Sequence, residues 1–252
     1  MNFKDVYIQT NSNLFLFGEL HGTKEMPQIF INAIKDVLTL NKHINIFLEV
    51  SSKLQALFND YKEDKISYKN FLNERMYSNE GYDGRGSKAF FQIFNFAKEN
   101  KDRINIYGTI SGNKKSDNCY IDYETCMKDC VCKYYNKNAI NFYYAGANHV
   151  VTNEIHDTNQ WRLFEKNGYL PCGYLIKKEI PCAISIRLKE LSGKVIAKNC
   201  SLGQIEKSKV SYFKLKNIAS KAEMFDEYIK TSNDVYDYYY YIKRVTPSYK
   251  LR

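Results

Sequence analysis

Apolar runs of strand length recur along the chain, and the segments between them carry apolar residues at helical spacing. The runs are "LFLF" (14–17), "INIFLEV" (44–50), "INIYG" (104–108), "INFYYAG" (140–146) and "CAISIRL" (182–188). No other feature constrains the fold as much. Strands that alternate with helices pair in parallel, because each connection must cross back over the sheet. A run such as "INIFLEV" lacks the polar–apolar alternation of a half-solvated strand, so helices are expected on both faces. The predicted fold is α/β, a mostly parallel central sheet flanked by helices.

The helices read as follows. Behind the first run, Pro27 suits an early helical position, and Ile29, Phe30, Ala33, Ile34, Val37 and Leu38 recur at helical spacing. Helical material follows around Leu54, Leu57 and Phe58, and again over 68–75. Ser87 is placed to cap a helix that buries Phe90, Phe91, Ile93, Phe94 and Ala97. A further helix is expected from about Tyr120 to Tyr135, and His156 falls on expected helix. The aromatic run "YDYYYYIKRVTPS" (236–248) reads as a final strand that Pro247 ends. No repeat or linker divides residues 1–252, which are read as one domain. The stretch 189–234 is the least legible and leaves room for an insertion.

Hydrophobic residues make up 44% of the 252 residues and charged residues 26%, which is globular composition. No apolar run approaches the roughly 18 residues of a membrane span. The N-terminal residues carry no apolar signal region, so no secretory leader is expected. Seven scattered cysteines, an odd number, argue against a fully paired framework and for a reducing, cytoplasmic setting. Cys126, Cys130 and Cys132 match no common zinc spacing and read as ordinary thiols on one helix. The net charge of +9 permits nucleic acid. No helix-turn-helix, RNP or zinc-finger pattern accompanies it, and no nucleic-acid partner is expected.

In an open parallel sheet, ligands bind beyond the carboxyl ends of the strands. After the first run come Glu19 and His21, in "GELHG". The second run closes on Glu49. The fourth ends in "GANH", with His149. Two Gly-x-x-His motifs and two carboxylates are thus expected at one edge. Asp83 and Arg85, in "YDGRGS", precede the Ser87-capped helix and can cover that edge. His43 sits at the amino end of its strand, on the wrong side.

These residues resemble the superfamily of erythromycin esterases, Tiki metalloproteases and ChaN-type haem-binding proteins. The matching stretches are "FGELHGTKEMP", "FLEV", "DGRGSKAF", "YYAGANH" and the closing "YDYYYYIKRVTPS", in order from about residue 13 to 248. A Tiki-like reading implies a metal-dependent peptidase with His21, His149 and Glu49 or Glu19 as ligands. An esterase-like reading implies His21 as the base that activates water, supported by Glu19, Glu49 and Arg85. The ChaN-type reading implies haem binding through a tyrosine not identified among the 22 present.

Hydrolysis of a peptide or ester bond is the expectation. In one version His21, His149 and a carboxylate (Glu49 or Glu19) hold zinc, manganese or cobalt, and the ion acidifies a bound water. In the other, His21 is a metal-free general base, with His149 or Arg85 stabilising the oxyanion. A haem or metal carrier without turnover is the competing class.

Overall fold

The computed structural model describes residues 1–72, 84–111, 118–198, 210–215 and 226–249, with backbone alone for 195–198 and 210–215. Seven strands form the central sheet, in the order β3-β2-β4-β1-β5-β9-β8. They are β1 (Leu14–Glu19), β2 (Ile44–Ser51), β3 (Ile104–Ile110), β4 (Ile140–Gly146), β5 (Ile184–Glu190), β8 (Tyr228–Lys230) and β9 (Tyr238–Ile242). All neighbours pair in parallel except β8, which is antiparallel to β9. The expected mostly parallel sheet is therefore what this chain builds.

Alternate strand residues feed two cores. On one face Phe15, Phe17, Ile46, Leu48 and Phe142 pack with Phe3, Phe30, Ile34, Phe91 and Phe94. These last five come from α1 (Phe3–Thr10), α2 (Glu25–Leu38) and α5 (Lys88–Glu99). The same face carries α3 (Gln55–Lys62) through Phe58 and α4 (Tyr68–Leu72) through Phe71. On the other face Leu14, Leu16, Phe47 and Tyr143 meet Met127, Trp161 and Ile176. Those residues lie on α6 (Cys119–Tyr134), α7 (Asn159–Asn167) and α8 (Cys172–Glu179). Burial on both faces explains why β1, β2 and β4 read as unbroken apolar runs.

Register at the amino edge is pinned by three asparagines, one from each "IN" dipeptide. Asn45 stands opposite Asn105 and Asn141 in the ladders. Its Nδ2 donates to Asn141 Oδ1 at 3.1 Å, and Asn105 Nδ2 donates to Asn45 Oδ1 at 3.4 Å. Asn141 is wholly buried, and its Nδ2 also donates to the carbonyls of Asn13, Asn136 and Ala139. A one-residue slip would bury these amides unpaired, at roughly 1–3 kcal/mol each.

Several boundaries differ from the sequence reading. β1 runs two residues past Phe17, because Gly18 and Glu19 continue the ladder with Ala145 and Gly146. β5 starts at Ile184, two residues late, since the Ala183 N–H is taken by the Ile180 carbonyl in the turn after α8. The final strand covers only Tyr238–Ile242. Beyond it the chain leaves the sheet and crosses to α2 and α5, bridging Thr23 at Pro247. Helix α4 is described as far as Leu72; the expected continuation to Arg75 lies outside the described residues, as does Asp83. Helix α1 was not foreseen; its Asn2 and Asp5 form a reciprocal cap. Within 189–234 a separate antiparallel ribbon, β6 (Gly193–Lys198) with β7 (Val210–Leu215), stands apart from the main sheet. Among the described residues no helix is long and apolar enough to cross a membrane.

Candidate functional site

β1 is the central strand, β4 lies beside it and β2 beside β4, and the polar residues gather at the carboxyl ends of these three. Glu19 closes β1, and His21 follows in the turn to α2. His149 lies in a short 3-10 turn (Ala147–Val150) directly after β4. Glu49 stands near the end of β2, and Arg85 precedes the Ser87 cap of α5. The Ser87 Oγ accepts the Phe90 N–H at 3.2 Å, as the sequence predicted.

Each imidazole is held by a buried carboxylate. Glu19 Oε1 lies 2.7 Å from His21 Nδ1, and Glu124 Oε1 lies 2.7 Å from His149 Nδ1. The other nitrogens converge on one group. His21 Nε2 is 3.3 Å from Glu49 Oε2, and His149 Nε2 is 3.5 Å from Glu49 Oε1. Both distances exceed an ordinary N–H···O bond, so neither nitrogen is committed to Glu49. The imidazole side chains keep about a fifth of their surface exposed (22% and 21%), while the three carboxylate side chains keep 4% or less. The imidazoles are therefore more accessible than the three carboxylates that surround them.

Glu49 is saturated. Its Oε1 accepts from Arg85 Nη1 at 2.7 Å and from the Tyr123 hydroxyl at 2.8 Å; its Oε2 accepts the Gly146 N–H at 2.6 Å. Arg85 Nη1 also donates to the Glu49 carbonyl at 2.9 Å. The Tyr144 hydroxyl donates to Glu19 Oε2, and the Cys172 N–H, at the start of α8, donates to Glu124 Oε2 at 2.7 Å.

Two glycines make the closeness achievable. A Cβ on Gly146 would lie 3.2 Å from His21 Nε2 and 3.4 Å from Glu49 Oε2. Gly84 has φ +97°, and a Cβ there would fall 2.1 Å from the Gly22 nitrogen. Loop 84–87 thus presses directly on the turn that carries His21.

Charge sets the protonation. Glu19 and Glu124 each hold one imidazole, and Glu49 meets both imidazoles and the Arg85 guanidinium. Burial pulls the His21 pKa down, but Glu19 and Glu49 outweigh it and raise the value to about 10. His149 is raised as well: burial opposes, Glu49 and Glu124 prevail, and His21 across the site pushes back. Burial would raise Glu49, yet His149, Arg85 and His21 hold it well below the usual carboxylate range. Burial and the adjacent Glu49 push the Tyr123 hydroxyl far up, so it stays a donor.

This donor set does not suit a divalent ion as folded. Among the described residues no group of three or more His, Cys, Asp or Glu side chains is arranged to hold one. An ion reaching Glu49 Oε1 would share it with the Arg85 guanidinium, cation beside cation. The three thiols Cys126, Cys130 and Cys132 lie on α6 and are free, as expected.

The sequence-predicted residues Glu19, His21, Glu49, Arg85 and His149 are all brought together. His43 lies at the amino edge, where its carbonyl accepts the Ile140 N–H. His156 is not helical; it lies in an exposed turn before α7, paired with Glu165 at 2.6 Å and Glu154 at 3.2 Å. Thr158 caps α7 and fixes its start beyond His156. Sequence reasoning missed Tyr123, Glu124 and Tyr144. Glu124 had a signal: it is in helical phase with Met127 and Val131, an acid on the buried stripe of α6. Tyr144 had none among so many tyrosines.

No protein-family model and no curated protein matches the sequence. Solved structures do match in fold. A Bacillus cereus structural-genomics protein superposes with TM-score 0.70 at 10% identity, covering 100% of this chain and 94% of that one. A succinoglycan biosynthesis protein gives 0.68 at 11%, over 98% and 91%. An erythromycin esterase mutant in its open conformation gives 0.58 at 10%, over 85% and 80%. The chain therefore shares the fold of an erythromycin esterase, the family its two Gly-x-x-His motifs resemble.

Proposed function

We propose that the protein is a metal-independent hydrolase of an ester or related acyl bond, with His21 and His149 as its base and acid. The observation that carries this reading is the pair of carboxylate-locked imidazoles, each 2.7 Å from its acid, with both Nε2 atoms facing Glu49. A base oriented by a buried carboxylate is the recurring device of hydrolytic catalysis.

The working state carries one imidazole proton. In the less populated singly protonated form, with the proton on His149 and His21 neutral, His21 Nε2 takes a proton from water as the water oxygen attacks the acyl carbon. Glu19 stabilises the imidazolium that forms. Arg85 and the His149 Nε2–H stabilise the oxyanion of the tetrahedral intermediate. As the bond to the leaving group breaks, His149 passes its proton to that group. His21 then returns a proton to the pair. Glu49 keeps the two imidazoles apart in charge and close in space. A base with raised pKa drives proton transfer harder, but a smaller share of it is neutral at pH 7.

A panel of p-nitrophenyl esters and an internally quenched peptide tests this, using protein treated with a chelator. Ester cleavage that falls about 10²-fold or more in His21→Gln is expected. Activity abolished by the chelator and restored by zinc, manganese or cobalt would instead favour the metal-bearing version. No turnover together with a Soret band after haem addition would favour the carrier.

A further inference from the structure

We infer that a pocket next to the loops of His21 and Arg85 binds an anionic group, a carboxylate or a phosphate, carried by the substrate away from its scissile bond. The inference rests on the hydrolase reading for the word substrate, though not for the pocket. A cavity of about 430 Å³ is lined by Lys24 and Gln28 of α2, Lys88 and Gln92 of α5, and Ser248 and Tyr249. That volume suits a small organic ligand. Among the described residues no lining residue is acidic.

The pocket is tied to the site by chain and by contact. Lys24 follows His21 by three residues, and Lys88 follows Arg85 by three. The loops that carry His21 and Arg85 touch at Gly22 and Gly84. Residues 246–249 bridge the two helix starts. The Lys24 N–H donates to the Thr246 carbonyl at 3.0 Å, the Ser248 N–H to the Gly22 carbonyl at 2.9 Å, and the Lys88 N–H to the Tyr249 carbonyl at 2.9 Å. The Ala89 N–H donates to Ser248 Oγ at 3.0 Å. This strap ties the pocket to the two loops that hold His21 and Arg85.

Charge identifies the ligand class. Lys24 occupies the N-cap of α2 without a capping bond, and Lys88 is the first residue of α5. A cation at a helix N-terminus opposes the helix dipole. Both lysines are exposed, and among the described residues no acidic side chain pairs with either. The described contact of the Lys24 ammonium is the Tyr249 ring, at 5.6 Å. Glu25, the acid in the first turn of α2, is taken by Thr246, so two cations at helix starts face one cavity with no acid among its described lining residues. An anion that enters reverses the penalty at both helix ends. Local rules of this kind are broken mainly at functional sites.

Two measurements test the pocket. The first needs no turnover: inorganic phosphate and acetate are titrated, each against sodium chloride at equal ionic strength, and the backbone amide shifts of Lys24, Lys88 and Tyr249 are followed. Saturable shifts with one or both anions, lost in the Lys24→Gln/Lys88→Gln double variant, are expected. The anion that binds more tightly names the group. No saturable shift with either, or shifts that persist in the double variant, would overturn the proposal. The second compares mono-p-nitrophenyl succinate with p-nitrophenyl butyrate. Wild type is expected to prefer the acidic ester in kcat/KM, and the double variant to lose that preference by about tenfold or more. Anion binding without cleavage of any ester would uphold the pocket and reject the hydrolase reading.

Discussion

Glu124 on α6 holds the Nδ1 of His149 at 2.7 Å, across 25 residues of sequence, and reproduces the contact that Glu19 makes with His21 two residues away. One pair is built by a turn and the other by a helix docking on the sheet. Both Glu124 oxygens are used, the second by the Cys172 N–H, so α6, α8 and the His149 turn meet at one carboxylate.

Glu124→Gln is expected to lower the His149 pKa and cut kcat by about 10²-fold, with KM little changed. Glu124→Asp should restore part of the rate. Imidazole NMR titration of His149 beside steady-state kinetics checks both. A variant with lowered stability but unaltered His149 titration would reduce Glu124 to a packing role.

Removing the central carboxylate should cost stability as well as activity. Glu49→Gln leaves Arg85 and two imidazoles around an uncharged amide in a buried place. About 3 kcal/mol of folding stability should be lost, read from urea unfolding at pH 7. Both histidines should then titrate lower than in wild type, because each loses a carboxylate that raises it.

The pH dependence follows from the sign of the His21 shift. Its folded pKa, about 10, lies above the value near 6.5 expected unfolded. The proton favours the folded state, so this contribution is complete below pH 6.5 and is lost as pH rises toward 10. The stability gap between wild type and His21→Gln should therefore narrow across that window. Catalysis runs the other way at first. The singly protonated pair is the working form, and both imidazoles are raised, so the optimum of kcat/KM should lie on the alkaline side of neutrality.

Two glycine variants separate the site from its scaffold. Gly146→Ala adds a methyl 3.2 Å from His21 Nε2 and should slow turnover about tenfold while the protein still folds. Gly84→Ala meets a positive φ and the Gly22 backbone at 2.1 Å, and should lose about 2 kcal/mol or more by thermal or urea unfolding.

The parts legible in the sequence are those where burial is continuous. β1, β2 and β4 are read from their apolar runs, and the strand-end rule then collects Glu19, Glu49 and His149 without coordinates. Tyr123 and Glu124 were not read. Helical phase puts Glu124 on the buried face of α6, but only the docking of α6 beside β4 says which histidine it meets. The aromatic run after Asp234 carries strand propensity on both sides of Asp237 and no register, so the paired part, Tyr238–Ile242, could not be cut from it. The ribbon β6–β7 lies where the sequence has no buried run to mark it.

The most direct test is the pH profile of ester hydrolysis by chelator-treated protein, measured for wild type, His21→Gln and His149→Gln. The account predicts that wild type retains its rate after chelation, with an optimum above pH 7, and that each substitution lowers the rate about 10²-fold or more. Activity that vanishes with the chelator, or that survives loss of His21, would contradict it.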